Sequence, residues 1–461
     1  MRIRALVGIA LSATLAVSMS GCNPDRSSTA PGSKSSSTAF STELSGTLKT
    51  SGYNPSDEVG KSRSDYATQQ VAPVSVQMDK TEFDPQKFAA QAASGNVPDL
   101  ISVPRSQVGT LADKELIVPL DECFAAWDVK PKDYYYPAAL QEVTYDGKAY
   151  GVPQFFQPSV IIANKKVAGP AGVTMADLDT SKPDGIIAAT KKMTKQSGGN
   201  PTVLGFDPDL PGSTGLWLAV FGGRLSDDQG KPTLDDPKNV EALTWMKQLM
   251  DAQGGFTRIG SFKQTHDVFG DNNQYVKNQV GAQTWAQWYV NVLSNTKDKV
   301  SIEATTVKGK DGKSLGFAGG SALVIPKASK NPSAACAWAV KVTSLDAWKL
   351  AGEARAKTVK DKNAIFTGLF TGSPVADKEL RDTFVKPSGN AEFDQVISTT
   401  YEAMENTVSN GGSPVATQID EAIKNAVGVA LAGEKSPQQA LADAQSTAMR
   451  AWDQSNLAKR R

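Results

Sequence analysis

The stretch DPQKFAAQAASGNVPDLISV, residues 84–103, decides the fold class of this chain of 461 residues. Asp84 followed by Pro85 is typical of a helix start, because the carboxylate accepts a bond from a free backbone N–H and proline already has a helical φ. Apolar residues follow at helical spacing, and Gly95 is the residue type that commonly ends a helix. Residues 100–103 (LISV) then predict a strand.

Strands are also predicted on the amino-terminal side of this helix. Leu44 to Leu48 alternates between polar and apolar residues, and Tyr66 to Met78 contains an apolar, β-branched run. A strand, a helix and a strand in succession form the unit of a mostly parallel sheet. Helix starts with a capping residue before proline recur at positions 236–237, 331–332, 413–414 and 436–437. The pattern therefore predicts an α/β fold.

The first 22 residues have the pattern of an export signal that ends in a lipidation site. Two arginines precede an apolar run from Ala5 to Val17 that is too short to span a bilayer, and MSGC follows at 19–22. This end resembles the lipobox of bacterial lipoproteins, in which the cysteine thiol is acylated with fatty acids such as palmitate. We expect residues 1–21 to be cleaved and Cys22 to be lipidated, the alternative being an ordinary signal with an incidental cysteine.

The segment after the lipidation site is expected to be a flexible tether. Residues 22–42 are rich in Ser, Thr, Pro, Gly and Lys and have little to bury. As a random coil, this tether would hold the folded body about 20 to 25 Å from the lipid on average. The rest of the chain is longer than one hydrophobic core usually holds, which predicts two lobes.

The composition argues against several classes of function. Lysine and arginine number 49 and aspartate and glutamate 48, without a long run of one sign, so no nucleic-acid partner is expected. One histidine, His266, expected to be exposed, and two cysteines after Cys22 disfavour a zinc site or a nucleophile–histidine pair, and no cofactor is expected. Cys123 and Cys336 are either two buried thiols or one disulfide of an exported protein.

Several stretches along the chain carry a family pattern. They are GNVPDL at 95–100, LADKELIVPLD at 111–121, YDGKAYGVP at 145–153 with IIANK at 161–165, YVKNQVGAQ at 275–283 with its tryptophans, GGSALVIP at 319–326 and AACAWA at 334–339. In this order and spacing they resemble the lipid-anchored substrate-binding proteins of ABC importers, in the carbohydrate class that includes maltose-binding protein. Departures are Gln283 and Thr284, where an apolar methionine is commoner, and Pro104-Arg105.

The resemblance implies a two-lobe periplasmic-binding-protein-like fold of type II, each lobe a mostly parallel sheet flanked by helices. It places chain crossings near 152–159, 302–306 and 344–348. The first lobe is then 43–153 plus 306–344, and the second is 154–305 plus 345–461. A solute held between the lobes would favour the closed form and drive hinge closure.

A pocket for a neutral sugar needs aromatic plates for the C–H faces and a few polar groups for the hydroxyls. Trp285 and Trp288, three residues apart, are the candidate plates, with core packing as the alternative for either one. Further candidate ligand contacts are Tyr53, Arg105, Gln157, Asp207, Asp209, Gly320 and Phe370. For these, a structural role in the core, a loop or a tight turn is the competing interpretation.

The resulting hypothesis is a monomeric, non-catalytic receptor that delivers a mono- or oligosaccharide to an ABC permease. It would act on the extracytoplasmic face of the cell membrane. One alternative is a binding protein for a polyamine, a peptide or an anion, and another is a surface-anchored glycoside hydrolase with paired carboxylates. A structural or adhesive lipoprotein is a third.

Overall fold

The computed structural model describes residues 39–460. The predicted signal peptide, Cys22 and nearly all of the predicted tether therefore lie outside the described residues. The strands are, in chain order, β1 Thr47–Ser51, β2 Ser75–Asp79, β3 Leu100–Pro104, β4 Thr144–Tyr145, β5 Lys148–Ala149, β6 Val152–Pro153, β7 Gln157–Asn164, β8 Lys195–Ser197, β9 Asn200–Asp207, β10 Val280–Ala286, β11 Ile302–Thr306, β12 Gly316–Gly319, β13 Ser321–Val324 and β14 Thr407–Val408.

The α-helices cover both sheets. They are α1 Glu58–Gln70, α2 Pro85–Ser94, α3 Val108–Asp113, α4 Asp121–Ala126, α5 Pro131–Tyr134, α6 Pro137–Glu142, α7 Lys165–Ala168, α8 Pro183–Met193, α9 Thr214–Val220, α10 Pro237–Asp251, α11 Phe256–Lys263, α12 Trp288–Ser294, α13 Pro332–Val342, α14 Leu345–Asp361, α15 Pro374–Phe384, α16 Ala391–Glu402, α17 Ala416–Leu431, α18 Pro437–Gln454 and α19 Asn456–Arg460. Among the described residues, none of these helices has the length and apolar character of a membrane span.

Two main sheets organise the molecule. The first has the order β2-β1-β3-β13-β6, in which β2, β1 and β3 are parallel and β13 is antiparallel to its neighbours. The second has the order β14-β12-β7-β10-β9-β8, and β11 also pairs with β7. In it β9 and β10 are parallel, whereas β7 is antiparallel to β10, β11 and β12. The predicted α/β class is confirmed.

The predicted helix from Asp84 is confirmed with both of its ends. The Asp84 carboxylate accepts a bond from the Lys87 N–H at 2.8 Å, and Gly95 adopts a left-handed φ of 69°. The following Asp99 carboxylate is buried and accepts bonds from the backbone N–H groups of Lys49 and Asn331, each at 2.9 Å. This carboxylate joins β1 to the start of α13, so it stabilises the first sheet.

Three predicted elements differ from the structure. The strand predicted over Leu44 to Leu48 begins later, at Thr47, and runs to Ser51. Residues 66–70 belong to α1, because Val59, Arg63 and Ala67 recur every four residues and bury one helix face. The strand predicted after them is present but begins later, at Ser75. The helix predicted from 413–414 begins about one turn later, at Ala416.

The chain passes between the two sheets at several points. Pro153 ends β6 in the first sheet and Gln157 begins β7 in the second, while the single residue Gly320 separates β12 of the second sheet from β13 of the first. Strand β12, which the sequence-based division assigns to the first lobe, thus pairs with β7 through Ala318 and Gly319. Helix α14, assigned to the second lobe, contacts α1 beside the first sheet. The exact lobe boundaries stay a prediction.

The structure joins Cys123 and Cys336 in a disulfide, with Cα atoms 5.7 Å apart. The sequence left two alternatives open, a disulfide or two buried thiols, and the structure has the disulfide. Both cysteines lie in a buried apolar cluster that also holds Tyr53, Leu100 and Trp338. We call this cluster the stapled core.

Candidate ligand-binding site

A cavity of about 550 Å³ opens where the two sheets meet. Its lining comes from residues that follow strands of the first sheet, from the crossing between β6 and β7, from helix α12 after β10, and from α14. A cavity of this size lies within the range of small-molecule sites, about 300 to 1,000 Å³. Of the predicted contacts, Tyr53, Gln157, Trp288 and Phe370 line it.

One side, which we call the first wall, consists of Tyr53, Arg63, Phe155 and Trp348. The Arg63 guanidinium carbon lies 3.6 Å from the centroid of the Trp348 ring and 5.2 Å from that of Phe155. Burial lowers the pKa of this guanidinium. The first wall is therefore a packed cluster of rings around one buried cation.

Tyr53 and Arg63 of the first wall donate hydrogen bonds to other groups of the protein. The Tyr53 hydroxyl donates to the Gly60 carbonyl at 2.9 Å, and burial raises its pKa. Arg63 Nε donates to the Val342 carbonyl at 2.9 Å, at the end of α13. Arg63 Nη2 also donates to Gln154 Oε1 at 3.4 Å, in the crossing between the sheets. This wall is thus organised before any ligand binds.

The opposite side, which we call the second wall, consists of Gln287, Trp288, Asn291 and Val292. It belongs to the start of α12, which follows β10 directly, so the strand sets its position. Gln287 is only 3% exposed, and its Oε1 is buried without a hydrogen-bond partner among the described residues. An unpaired buried acceptor is costly, so a ligand hydroxyl that reached this oxygen on rearrangement of the wall would stabilise it.

The two predicted tryptophans lie in different surroundings, Trp285 on the core and Trp288 at the cavity. Trp285 stacks on Tyr289 at 4.2 Å between ring centroids, packs on the core and does not line the cavity. Trp288 lines the cavity, and its ring meets the Trp285 ring edge-on at 5.5 Å. Only Trp288 of the two is thus placed as a plate in the described cavity.

Arg105 does not line the cavity. It is buried, with Nε 2.6 Å from the Glu142 carboxylate and Nη2 donating to the Ala318 carbonyl at 2.8 Å. Burial raises the pKa of Glu142, and the Arg105 charge opposes that rise. Gly320 leaves the space that Arg105 and the Phe155 carbonyl occupy, so a Cβ there would collide with both. In this structure, Arg105 and Gly320 lie where the chain crosses between the sheets, and their role in ligand binding stays a prediction.

Asp207 and Asp209 also lie away from the cavity lining. The Asp207 carboxylate is buried, 2.9 Å from Lys263 Nζ, and accepts a bond from Gln283 Nε2 at 2.8 Å. Burial and the nearby Asp207 charge raise the pKa of Asp209. His266, predicted to be exposed, is half-buried against Phe262, and burial lowers its pKa.

Charge in the cavity is sparse. Asp57 supplies the one carboxylate among the described lining residues, and Arg355 Nη2 lies 3.5 Å from it. Arg355 is also paired with Glu58.

Three residues that line the cavity were not predicted from the sequence: Gln287, Arg63 and Trp348. Of these, Trp348 lies at a predicted crossing and could have been found from that position.

Residues 64–351 match the family model described as bacterial extracellular solute-binding protein. An arabinooligosaccharide-binding protein of Halalkalibacterium halodurans is 27% identical over 165 residues, 35% of this chain and 35% of that protein. A maltooligosaccharide ABC transporter solute-binding lipoprotein of Streptococcus pneumoniae is 24% identical over 256 residues, 53% of this chain and 55% of that protein. The chain thus matches between about a third and about half of the length of these relatives.

Solved structures share the fold. The structure of CpMnBP1 with mannobiose bound superposes with a TM-score of 0.69 at 23% identity, over 87% of this chain and 99% of that one. The predicted two-lobe fold of type II is confirmed. Because the family model matches more than half of the residues, this chain belongs to the bacterial extracellular solute-binding protein family.

Proposed function

We propose that this protein is the substrate-binding component of an ABC importer and that it captures a neutral mono- or oligosaccharide. The observation that carries the proposal is the lining of the cavity, which combines an aromatic plate, Trp288, with the unpaired acceptor of Gln287. A sugar offers apolar C–H faces to a ring and hydroxyl donors to such an acceptor. Relatives whose names refer to arabino- and maltooligosaccharides support the sugar class.

Capture would proceed by hinge closure. Tyr53 of the first wall follows β1 of the first sheet, and the second wall follows β10 of the second sheet, so we expect a ligand between the walls to contact both only when they approach. The ligand then stabilises the closed form by the difference between its affinities for the two forms. Gln157 and Phe370 would add contacts from the crossing and from the segment before α15.

A glycoside hydrolase is not favoured by this cavity. Such enzymes flank the scissile bond with two carboxyl groups about 5 to 10 Å apart. Asp57 is the one carboxylate among the described residues that line the cavity, and Arg355 faces it. We therefore propose a binding protein without catalytic activity.

We further propose that Cys22 carries the lipid and holds a monomer on the extracytoplasmic face of the cell membrane. The apolar run before Cys22 and the polar segment after it support this location. The partner would be the transmembrane permease, reached across the tether. Labelling with a fatty-acid analogue should mark the chain, and Cys22→Ala should abolish the label; labelling that persists in this variant would contradict the assignment.

The sugar class is tested by a thermal-shift screen of the full chain against arabino-, malto- and mannooligosaccharides. A ligand that binds only the folded state stabilises it by about 2.7 kcal/mol at a hundredfold excess over its dissociation constant. We expect a rise of the unfolding midpoint with at least one series and no consumption of the sugar over hours. No shift with any sugar would contradict the proposal.

A second candidate is an anionic solute. Two arginines, Arg63 and Arg355, and one carboxylate, Asp57, are the charged residues of the described lining, so its net charge is positive. An acidic sugar such as an oligogalacturonate could compensate this charge. Stronger stabilisation by oligogalacturonates than by the neutral sugars, weakening with added salt, would favour this candidate.

A further inference from the structure

Phe269 is the most exposed large apolar side chain in the part of the chain that the structure describes. It is 72% exposed, whereas the next, Val375, is 46% exposed. Single exposed apolar side chains are common, so exposure alone indicates no site. The surroundings of Phe269 supply the further observations.

The turn that carries Phe269 is held in place on both sides of it. The buried Tyr289 hydroxyl donates to the Val268 carbonyl at 2.9 Å. The fully buried Asn273 amide donates to the Gly270 carbonyl at 3.2 Å. Because its neighbours on both sides are bonded to the core, the exposed position of Phe269 is part of the fold.

The Phe269 ring continues the aromatic surface of the cavity. Its plane lies 13° from that of Trp288, with 6.0 Å between the ring centroids. A nearly parallel pair of rings at this distance offers two adjacent plates. Trp288 lines the cavity and Phe269 lies outside the lining, so the pair leads from the cavity to its exterior.

We propose that Phe269 forms an outer subsite that stacks on one sugar ring of an oligosaccharide whose inner rings occupy the cavity. This rests on the proposed function and narrows its ligand to an oligosaccharide. Asp267, Asp271 and Asn272, which lie within three residues of Phe269 in the chain, have exposed polar side chains. They provide acceptors for the hydroxyls that project from the rim of a stacked sugar.

The subsite is tested by calorimetric titration of the full chain with arabino-, malto- and mannooligosaccharides of two to five sugar units. The variants are Phe269→Ala, Phe269→Tyr, which keeps an aromatic ring, and Val375→Ala, which shortens another exposed apolar side chain outside the cavity lining. Wild type should bind longer members of one series more tightly than the disaccharide. Phe269→Ala should lose about fivefold in affinity for the longest member and less than twofold for the disaccharide.

Phe269→Tyr and Val375→Ala should retain the preference of wild type for the longer sugars. An equal effect of Phe269→Ala on all lengths, or no effect, would overturn the subsite while leaving the proposed function in place. Binding of the disaccharide alone by wild type would overturn it as well. If wild type bound none of these sugars, the proposed function itself would fail, and this result is distinct because it involves no variant.

Discussion

The two walls of the cavity differ in how their polar groups are satisfied. In the first wall, Arg63 and Tyr53 bond to carbonyl oxygens of the protein, and the rings pack on one another. In the second wall, the Gln287 acceptor has no partner within residues 39–460, and Trp288 is only half-buried. A group already bonded in the free protein gains little from a ligand, whereas an unpaired one gains a full hydrogen bond. We infer that the second wall contributes more to affinity and the first wall more to rigidity.

The largest expected effect concerns the disulfide behind the first wall. Replacing Cys123 and Cys336 by serine should lower the free energy of unfolding by about 2 to 4 kcal/mol, because the bridge closes a long loop in the unfolded chain. Sugar affinity should change less than about twofold, since neither cysteine lines the cavity. Denaturant unfolding and calorimetry measure the two quantities. A large loss of affinity in the folded variant would contradict the division between the walls.

Asp377, like Arg63 and Tyr53 of the first wall, is a buried group with hydrogen bonds inside the protein. The pH dependence of stability tests its protonation. Its carboxylate accepts bonds from the Tyr136 hydroxyl at 2.8 Å and the Thr371 N–H at 2.7 Å, yet burial raises its pKa to about 7. The folded state therefore binds more protons than the unfolded state between the unfolded pKa and about 7. Its contribution to stability is present at low pH and is lost as the pH rises through that range.

Asp377→Asn should remove this dependence on pH. The free energy of unfolding of the variant, relative to wild type, should increase from pH 4 to pH 7 by on the order of 3 kcal/mol. Urea unfolding at a series of pH values measures it. Parallel stability curves for the two proteins would show that the carboxyl titrates normally.

Trp288→Ala tests the plate of the second wall. We expect about a 30-fold loss of sugar affinity, the size typical of a buried aromatic contact. Trp127→Ala is the matched control, because this indole is half-buried on the stapled core and does not line the cavity. It should bind the sugar as wild type does. Equal losses in both variants, measured by calorimetry, would contradict a specific role for Trp288.

Gln287→Leu should raise the stability of the protein and weaken its binding of the sugar. Removing an unpaired buried acceptor should raise the free energy of unfolding by about 1 kcal/mol, while the lost bond to the sugar should weaken binding about tenfold. Gln264→Leu, at an exposed site outside the cavity, serves as the control. A variant that binds the sugar like wild type would show that Gln287 Oε1 does not contact it.

Local signals in the sequence predicted much of the fold and part of the site. The helix from Asp84 to Gly95 was predictable because its caps are adjacent in the chain. The partner of Arg105 was not, because Glu142 lies 37 residues away and only the tertiary fold joins them. Trp285 and Trp288 have the same side chain, and the chain's turn from β10 into α12 decides which one faces the cavity. The unpaired state of Gln287 likewise depends on every neighbour around it.

The most direct test of the account is a crystal structure of the protein with the sugar that stabilises it most in the screen. We predict a sugar ring against Trp288, a hydroxyl that donates to Gln287 Oε1, and first-wall side chains placed as in the free protein. A sugar that contacts only the first wall, or that binds outside the cavity, would contradict the account.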